Sequence, residues 1–486
     1  MLTREQFEIT YGAVSDACFA LFTEMDTRIT VQQEQIVALT ALVKQLQDRL
    51  GKDSHNSSKP PSTDGLKKKP VSLRRKAGRK PGGQHGHPGR TLEFCDSPAV
   101  TVPHVPTHCC NCGTDLSQVS SSIDERRQSH DVPPPPKVVC TEHQSHSKRC
   151  PNCGTTTKGA FPAGVEHSVQ YGPRLTAIIL YLMCYQLLPS KRTAEFARDH
   201  FGVALSEGTL LNIMRRAYKA LASIETDTLN ALAKGEVIHF DETGVRVAGL
   251  LYWLHVICTN SLTYYSCQKR RGRAAMDEIG VLSKLKGRAV HDGWKAYFFY
   301  VCFHALCNAH HLRELTAVHE QHAQQWAADM IAVLLDAKAA VSAAVEQGKE
   351  QVDPVLLSTL ENRYQLAIEA GHKANPPPEA TGKRGRPKRS IGGNLVRRLD
   401  DYRKETLAFL YDFDVPFDNN LAERDVRMMK VKQKVSGCFR STAGVDAFCR
   451  IRGYISTMRK QGHNVLDVLM SVCEGNPIKP VTTATA

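Results

Sequence analysis

Acidic residues fall at three places where their surroundings give them a use. Val237-Ile238-His239-Phe240-Asp241-Glu242-Thr243 reads as a buried strand that ends in acid, and Arg288-Ala289-Val290-His291-Asp292-Gly293-Trp294 as another. A third acid is expected on a helix. In Pro416–Lys430, Asp418 is placed to cap the helix, and Glu423, Arg427 and Lys430, spaced four and three apart, share one face. On its own such a helix is an ordinary surface ion-pair ladder. With two strand-end acids it becomes the third side of a metal site. Carboxylate oxygens bind Mg²⁺ or Mn²⁺ while leaving places for water and phosphate oxygens. Two such ions about 3.5–4 Å apart activate a water or 3′-hydroxyl and stabilise the leaving oxygen. The chemistry expected is in-line phosphoryl transfer on DNA.

The elements that must bring these acids together are legible. Leu251–Thr259 and Leu262–Cys267 read as strands separated by the hairpin signal Asn260-Ser261, and Arg273–Leu285 as a helix. The resulting order is β-β-β-α-β, with Asp241 on the first strand and Asp292 on the fourth. That is the RNase H-like arrangement, in which those two strands lie side by side and their acids meet at one end. The fold class expected is therefore multidomain α+β, with an RNase H-like catalytic core.

A second constellation is sulfur-based. Cys109-x2-Cys112 and Cys150-x2-Cys153 are each followed by Gly, at 113 and 154. Each pair sets two thiolates at chelating distance, and four thiolates make the closed tetrahedral shell of one structural Zn²⁺. The 37 residues between the pairs exceed the usual spacing, so a loop holding Pro133–Pro136 would have to bulge out. Cys110, Cys140 and His143 stand close enough to be alternative ligands. No position of such a site is open to substrate.

The 486 residues carry 63 Lys and Arg against 49 Asp and Glu, a net charge of +14. Residues 51–92 alone hold 11 Lys and Arg and 2 Asp, so +9 is concentrated in one Gly-, Pro- and Ser-rich stretch. This is the composition of a linker, and Arg79 and Lys80 in Gly78–Gly83 suit a DNA backbone or minor groove. Ahead of it, Ile29, Ile36, Val43 and Leu50 with Leu39 and Leu46 keep a heptad that Gln32 interrupts. The pattern fits a short coiled coil or one amphipathic helix packed on its own domain. Residues 190–217 read as two helices around Gly202, the second capped by Ser206, as in a helix-turn-helix or a plain scaffold pair. The longest apolar run, Leu175–Leu188, is too short for a membrane. The N-terminus has no signal-peptide pattern, so a cytoplasmic, nucleoid-associated protein is expected, with its 16 Cys reduced or metal-bound.

Taken together these stretches resemble the insertion-sequence 66 family of DDE transposases. The resemblance runs over roughly residues 30–472 and rests on Asn56–Ser62, Gly78–Gln84, the Cys pairs, His239–Thr243, Asp292–Trp294, Cys307–Leu315, Asp418–Arg424 and Gly437–Ser441. It implies that Asp241, Asp292 and Glu423 are the DDE triad, that Lys430 is a DNA-contacting cation, and that a zinc-binding domain, a leucine-zipper region and a helical insertion before Glu423 are present. It implies double-stranded DNA partners (the element's terminal inverted repeats and target DNA), a homo-oligomer of at least two copies, and small accessory proteins from the same element. Arg384, Arg386 and Lys388, in a basic loop of the insertion, resemble an AT-hook. His310 and Arg313 are expected beside the active site, and Cys307, His310 and His311 are not expected to form a second zinc site.

The domains expected are a helix and coiled coil (1–50), a basic linker (51–94), a zinc-ribbon-like module (95–165) and a helix-turn-helix-like region (166–235). The core follows in two parts (236–315 and 413–475) around a helical insertion (316–412, basic loop 373–391), with a tail at 476–486. Two other functions fit much of the sequence: a non-catalytic zinc-containing DNA-binding regulator, and an RNase H-like nuclease without strand transfer. The three intact carboxylates argue against the first, and the heptad against the second.

Overall fold

The computed structural model describes residue 5 and residues 16–57, 92–132, 137–378 and 389–482. Arg79, Lys80, Arg384, Arg386 and Lys388, with most of the basic linker, lie outside the described residues. The described residues divide into two compact units, one from Met1–Ser72, His143–Ala194 and Leu205–Ala486, the other from Leu73–Glu142 and Glu195–Ala204.

In the larger unit, α1 (Asp16–Leu50) is one 35-residue helix with no buried residue, extending the expected heptad helix by several turns. A two-stranded ribbon follows, β1 (Ser147–Arg149) against β2 (Thr156–Lys158). Next come α2 (Pro173–Leu180), which continues as a π-helical turn over Tyr181–Tyr185, then α3 (Ser190–Phe201), which belongs to the smaller unit from Glu195 onward, and α4 (Glu207–Ala220) and α5 (Ala222–Leu232). Helix α4 begins as its sequence requires, the Ser206 hydroxyl accepting from Thr209 N.

The centre is a five-stranded sheet made of β3 (Val237–Val247), β4 (Leu250–Cys258), β5 (Thr263–Gln268), β6 (Arg288–His291) and β7 (Phe303–Leu306). Its spatial order is β5-β4-β3-β6-β7, with β3-β4-β5 antiparallel and β6 and β7 parallel to β3. The helix between β5 and β6, α6 (Arg273–Ile279), is shorter than expected. Gly280 takes a left-handed φ of 72° and ends it, and the rest of the apolar run turns back into the core through Leu282 and Leu285. Gly287 has a steric reason: a Cβ there would lie 2.3 Å from Gly235 O and 2.4 Å from Glu236 O, so only glycine lets β6 start flush against β3.

Strand alternation divides β3 between two faces. Ile238 and Phe240 join Ile257, Met276, Leu282, Leu285 and Tyr297 in a buried cluster on the α6 side. His239, with its ring bonded to Asn419, faces the opposite side, which α11 (Asn420–Ser436) covers. Between these elements lie α7 (Asn308–His322) and the helices α8 (Gln325–Glu346), α9 (Pro354–Ala374) and α10 (Ile391–Asp401), with two single turns at Arg403–Thr406 and Ala408–Tyr411. The chain closes with α12 (Thr442–Lys460), packed on β5, and α13 (Val465–Cys473). The Thr457 hydroxyl satisfies the free edge of β5, accepting from Thr263 N at 2.9 Å and donating to Thr263 O at 3.2 Å. Among the described residues no helix is long and apolar enough to cross a membrane.

Candidate active site

The register of the parallel pair β3–β6 sets the site. Val237 lies opposite Arg288, Ile238 opposite Ala289 and His239 opposite Val290. Carrying that offset two residues further puts Asp241 level with Asp292, which directly follows the last residue of β6. Asp241 itself lies in mid-strand: the strand expected to end in acid there runs on to Val247, held by its pairing with β4. Glu423 comes to the same place from the first turn of α11. Burial pushes the Asp241 carboxyl well above its ordinary range, and the charges of Glu242, Asp292 and Glu423 push it further. Asp241 Oδ1 accepts from Glu242 N at 2.8 Å. Among the described residues no basic side chain pairs with Asp241 through an ion pair. A buried carboxylate without a basic partner, under the influence of two further carboxylates, is a donor set that suits a hard divalent cation.

Asp292 is oriented by its own loop, Oδ1 accepting from Trp294 N at 3.0 Å. Glu423 is mostly buried and faces two groups on α7, with Arg313 Nη2 3.6 Å from Oε2 and His310 Nδ1 3.6 Å from Oε1. His310 Nδ1 is buried and makes no hydrogen bond. Burial holds its imidazole below the usual value, and the Glu423 charge opposes that shift. Both α7 residues picked out by the sequence thus lie at the site. His311 does not. It is buried behind α7 with Nδ1 3.1 Å from Asn308 Oδ1.

Cys307, His310 and Glu423 also bring ligand atoms within 4.8 Å of one another. The thiol is the weak member of that set. Burial, then the Glu423 charge, pushes it up to about 12, and its sulfur already accepts from Asn419 N at 3.1 Å.

The expected cap of α11 differs in detail. Asp418 Oδ1 accepts from Asn420 N at 3.1 Å, but Asn419 occupies the capping position and turns its side chain to the sheet. Its Oδ1 lies 2.8 Å from His239 Nδ1 and its Nδ2 donates to Phe240 O at 2.7 Å. This buried side chain fixes the start of α11 to β3 one residue before Asp241. Further along α11, Lys430 Nζ donates to Gly244 O at 3.0 Å while Arg427 is exposed. Asp425 is structural, tied to Lys460 at 2.7 Å and accepting from the Thr263 hydroxyl at 3.1 Å.

Glu242, Arg271, Tyr297 and Asn419 escaped the sequence reading. For Glu242 a signal existed: adjacent strand residues face opposite sides, so Glu242 could not share the Asp241 face. Asn419 sits in an Asp-Asn-Asn run that points to a helix cap and carries part of the family resemblance, and neither gives its side chain a partner on β3.

Each Cys pair forms its own tight knuckle. In one, Cys109 N donates to Thr114 O and Gly113 N to Cys109 O; in the other, Cys150 N donates to Thr155 O and Gly154 N to Cys150 O. Both glycines take φ 72°. The Thr114 hydroxyl beside Cys112 and the Thr155 hydroxyl beside Cys153 are the main causes that bring each thiol down to about 7. One thiol of each knuckle is thus shifted toward the thiolate, the form a zinc ion needs.

Residues 168–447, more than half the chain, match the model of the Transposase IS66 family. The chain belongs to that family. The match takes in Asp241, Asp292 and Glu423 and leaves both Cys knuckles outside. Membership supports a transposase role: a nucleic-acid-processing enzyme that binds DNA and calls for a divalent metal. Residues 20–93 match a family of unknown function. No curated protein matches the chain.

Proposed function

We propose that the chain is a DDE-type DNA transposase. It binds the ends of its insertion sequence and cuts and joins DNA at Asp241, Asp292 and Glu423, with Mg²⁺ or Mn²⁺ held by those three carboxylates. The observation that carries this is the convergence of Asp241 and Asp292 on adjacent parallel strands with Glu423 from α11. The sheet order supports an RNase H-like core, interrupted by a helical insertion over α8–α10. Bound there, two divalent ions would activate the attacking oxygen and stabilise the leaving one. The chain's own residues do the rest. Arg313 holds Glu423, with His310 Nδ1 beside the other oxygen of the same carboxylate. Arg427 and Lys430 present positive charge along α11 for the DNA backbone. The basic linker with Arg79 and Lys80 adds sequence-independent affinity, and the loop with Arg384, Arg386 and Lys388 favours narrow A·T minor grooves. The test is cleavage of supercoiled DNA carrying the element's ends, with Mg²⁺ present.

Zinc on the knuckle thiolates belongs to this reading. Cys112→Ser should remove zinc from the purified protein and lower the melting temperature of its N-terminal module, with the nuclease core still folded. Elemental analysis of the wild-type protein checks it, and a zinc-free, fully folded preparation would end this part of the proposal.

The oligomer is proposed to form through α1. Ile29, Ile36 and Val43 occupy one heptad position and Leu39 and Leu46 the other, and each is about half exposed along a helix that buries nothing. β-branched residues at the first position with Leu at the second favour two parallel strands. Ile36→Lys in mid-seam should turn a dimer into a monomer by sedimentation velocity. A variant that sediments as the wild type would remove α1 from the interface.

A further inference from the structure

Glu242 stands beside Asp241 in sequence, yet its carboxylate is fully engaged elsewhere. The side chain is 1% exposed. Oε1 takes Arg271 through Nε at 2.8 Å and Nη2 at 2.7 Å, and Oε2 takes the Tyr297 hydroxyl at 2.6 Å. Arg271 is held in turn on two aromatic faces, 4.2 Å from the Trp294 ring and 5.0 Å from Trp253. From that clamp its Nη2 also faces Asp292 Oδ2 at 3.9 Å. The other oxygen of Asp292 is already fixed by the backbone of Trp294, the same residue that stacks on Arg271. Arg271 comes from the loop between β5 and α6, where neither strand nor helix requires an arginine.

We propose that Arg271 is a positioning residue for the metal site. Set over the Trp253 and Trp294 rings, it aims the Asp292 carboxylate and compensates the charge of buried Glu242. This rests on the assignment of Asp241, Asp292 and Glu423 as those ligands. A guanidinium suits the task because its planar fork serves Glu242 with two N–H groups while standing over an indole and reaching a second carboxylate. An ammonium has the charge without the fork. Residues that orient a ligand from behind typically govern metal affinity about 10–100-fold.

The test is Mn²⁺ binding to the full-length protein without DNA, followed by electron paramagnetic resonance. Wild-type binding that Asp241→Asn abolishes sets the baseline; Mn²⁺ binding indifferent to Asp241 would overturn the ligand assignment, and this inference with it. Given that baseline, Arg271→Lys, which keeps a charge beside buried Glu242, is expected to fold like the wild type and to bind Mn²⁺ about 10–100-fold more weakly. Arg271→Gln is expected to lose at least as much. Either folded variant binding Mn²⁺ as tightly as the wild type, or more tightly because a competing cation has gone, would overturn the inference. Wild-type affinity in Arg271→Lys alone would do so too, since charge without the fork would then suffice.

Discussion

Asp241→Asn, Asp292→Asn and Glu423→Gln should each reduce DNA cleavage and strand transfer by at least about a thousandfold, because groups that act as one unit fail together. Each change keeps the shape of the side chain and removes one negative ligand. DNA binding, read by electrophoretic mobility shift in EDTA, should persist, since the cations proposed to hold DNA are separate from the triad. It should tighten slightly, as each substitution deletes a charge that repels phosphate. The structure also predicts a stability effect of known sign. The folded-state pKa of Asp241 is raised by burial and by Glu242, Asp292 and Glu423. The stability it contributes is therefore full below its unfolded pKa and is lost as pH rises through the raised folded value. Near neutral pH and without metal, Asp241→Asn should melt no lower than the wild type, and the gap should close as pH falls into the carboxylate range. Added Mg²⁺ should raise the wild-type melting temperature and leave the variant unmoved. Asp418→Asn is the control. Its carboxylate only accepts from Asn420 N and lies 3.9 Å from Lys338, so the variant should keep substantial activity.

Asn419→Ala should be nearly as damaging for a different reason. The side chain is 1% exposed and bridges His239 and Phe240 O, and its backbone N–H reaches the Cys307 sulfur. Truncation leaves two buried polar groups of β3 without partners, at about 1–3 kcal/mol each. It also releases the end of α11 that carries Glu423. A displacement of about 1 Å at a reacting centre costs about a hundredfold in rate. A lower melting temperature and cleavage reduced about a hundredfold are expected together. Wild-type cleavage in this variant would mean that α11 is held by other contacts.

Much of this candidate site was legible because it depends on local pattern. Asp241 and Asp292 end apolar strand runs, and the β-β-β-α-β order was enough to place those strands side by side. Glu423 could be picked out because α11 has a recognisable start and a charged face. What stayed hidden depends on contacts between residues far apart in sequence. Arg271 meets Glu242 from 29 residues away and Asn419 meets His239 from 180, and no periodicity encodes either pairing. The end of α6 was misplaced because Gly280 stops the helix while the apolar spacing runs on to Leu285, still buried but in a turn. The cap of α11 moved by one residue because the buried needs of β3 outweigh the preference of a free helix end.

The central claim is that Asp241, Asp292 and Glu423 together hold the divalent metal. Crystals of the full-length protein soaked in Mn²⁺, with anomalous diffraction collected at the manganese edge, test it most directly. The account predicts anomalous density bounded by the carboxylates of all three residues, lost in an Asp292→Asn crystal. Density confined to Cys307, His310 and Glu423, with none against Asp241 and Asp292, would contradict it.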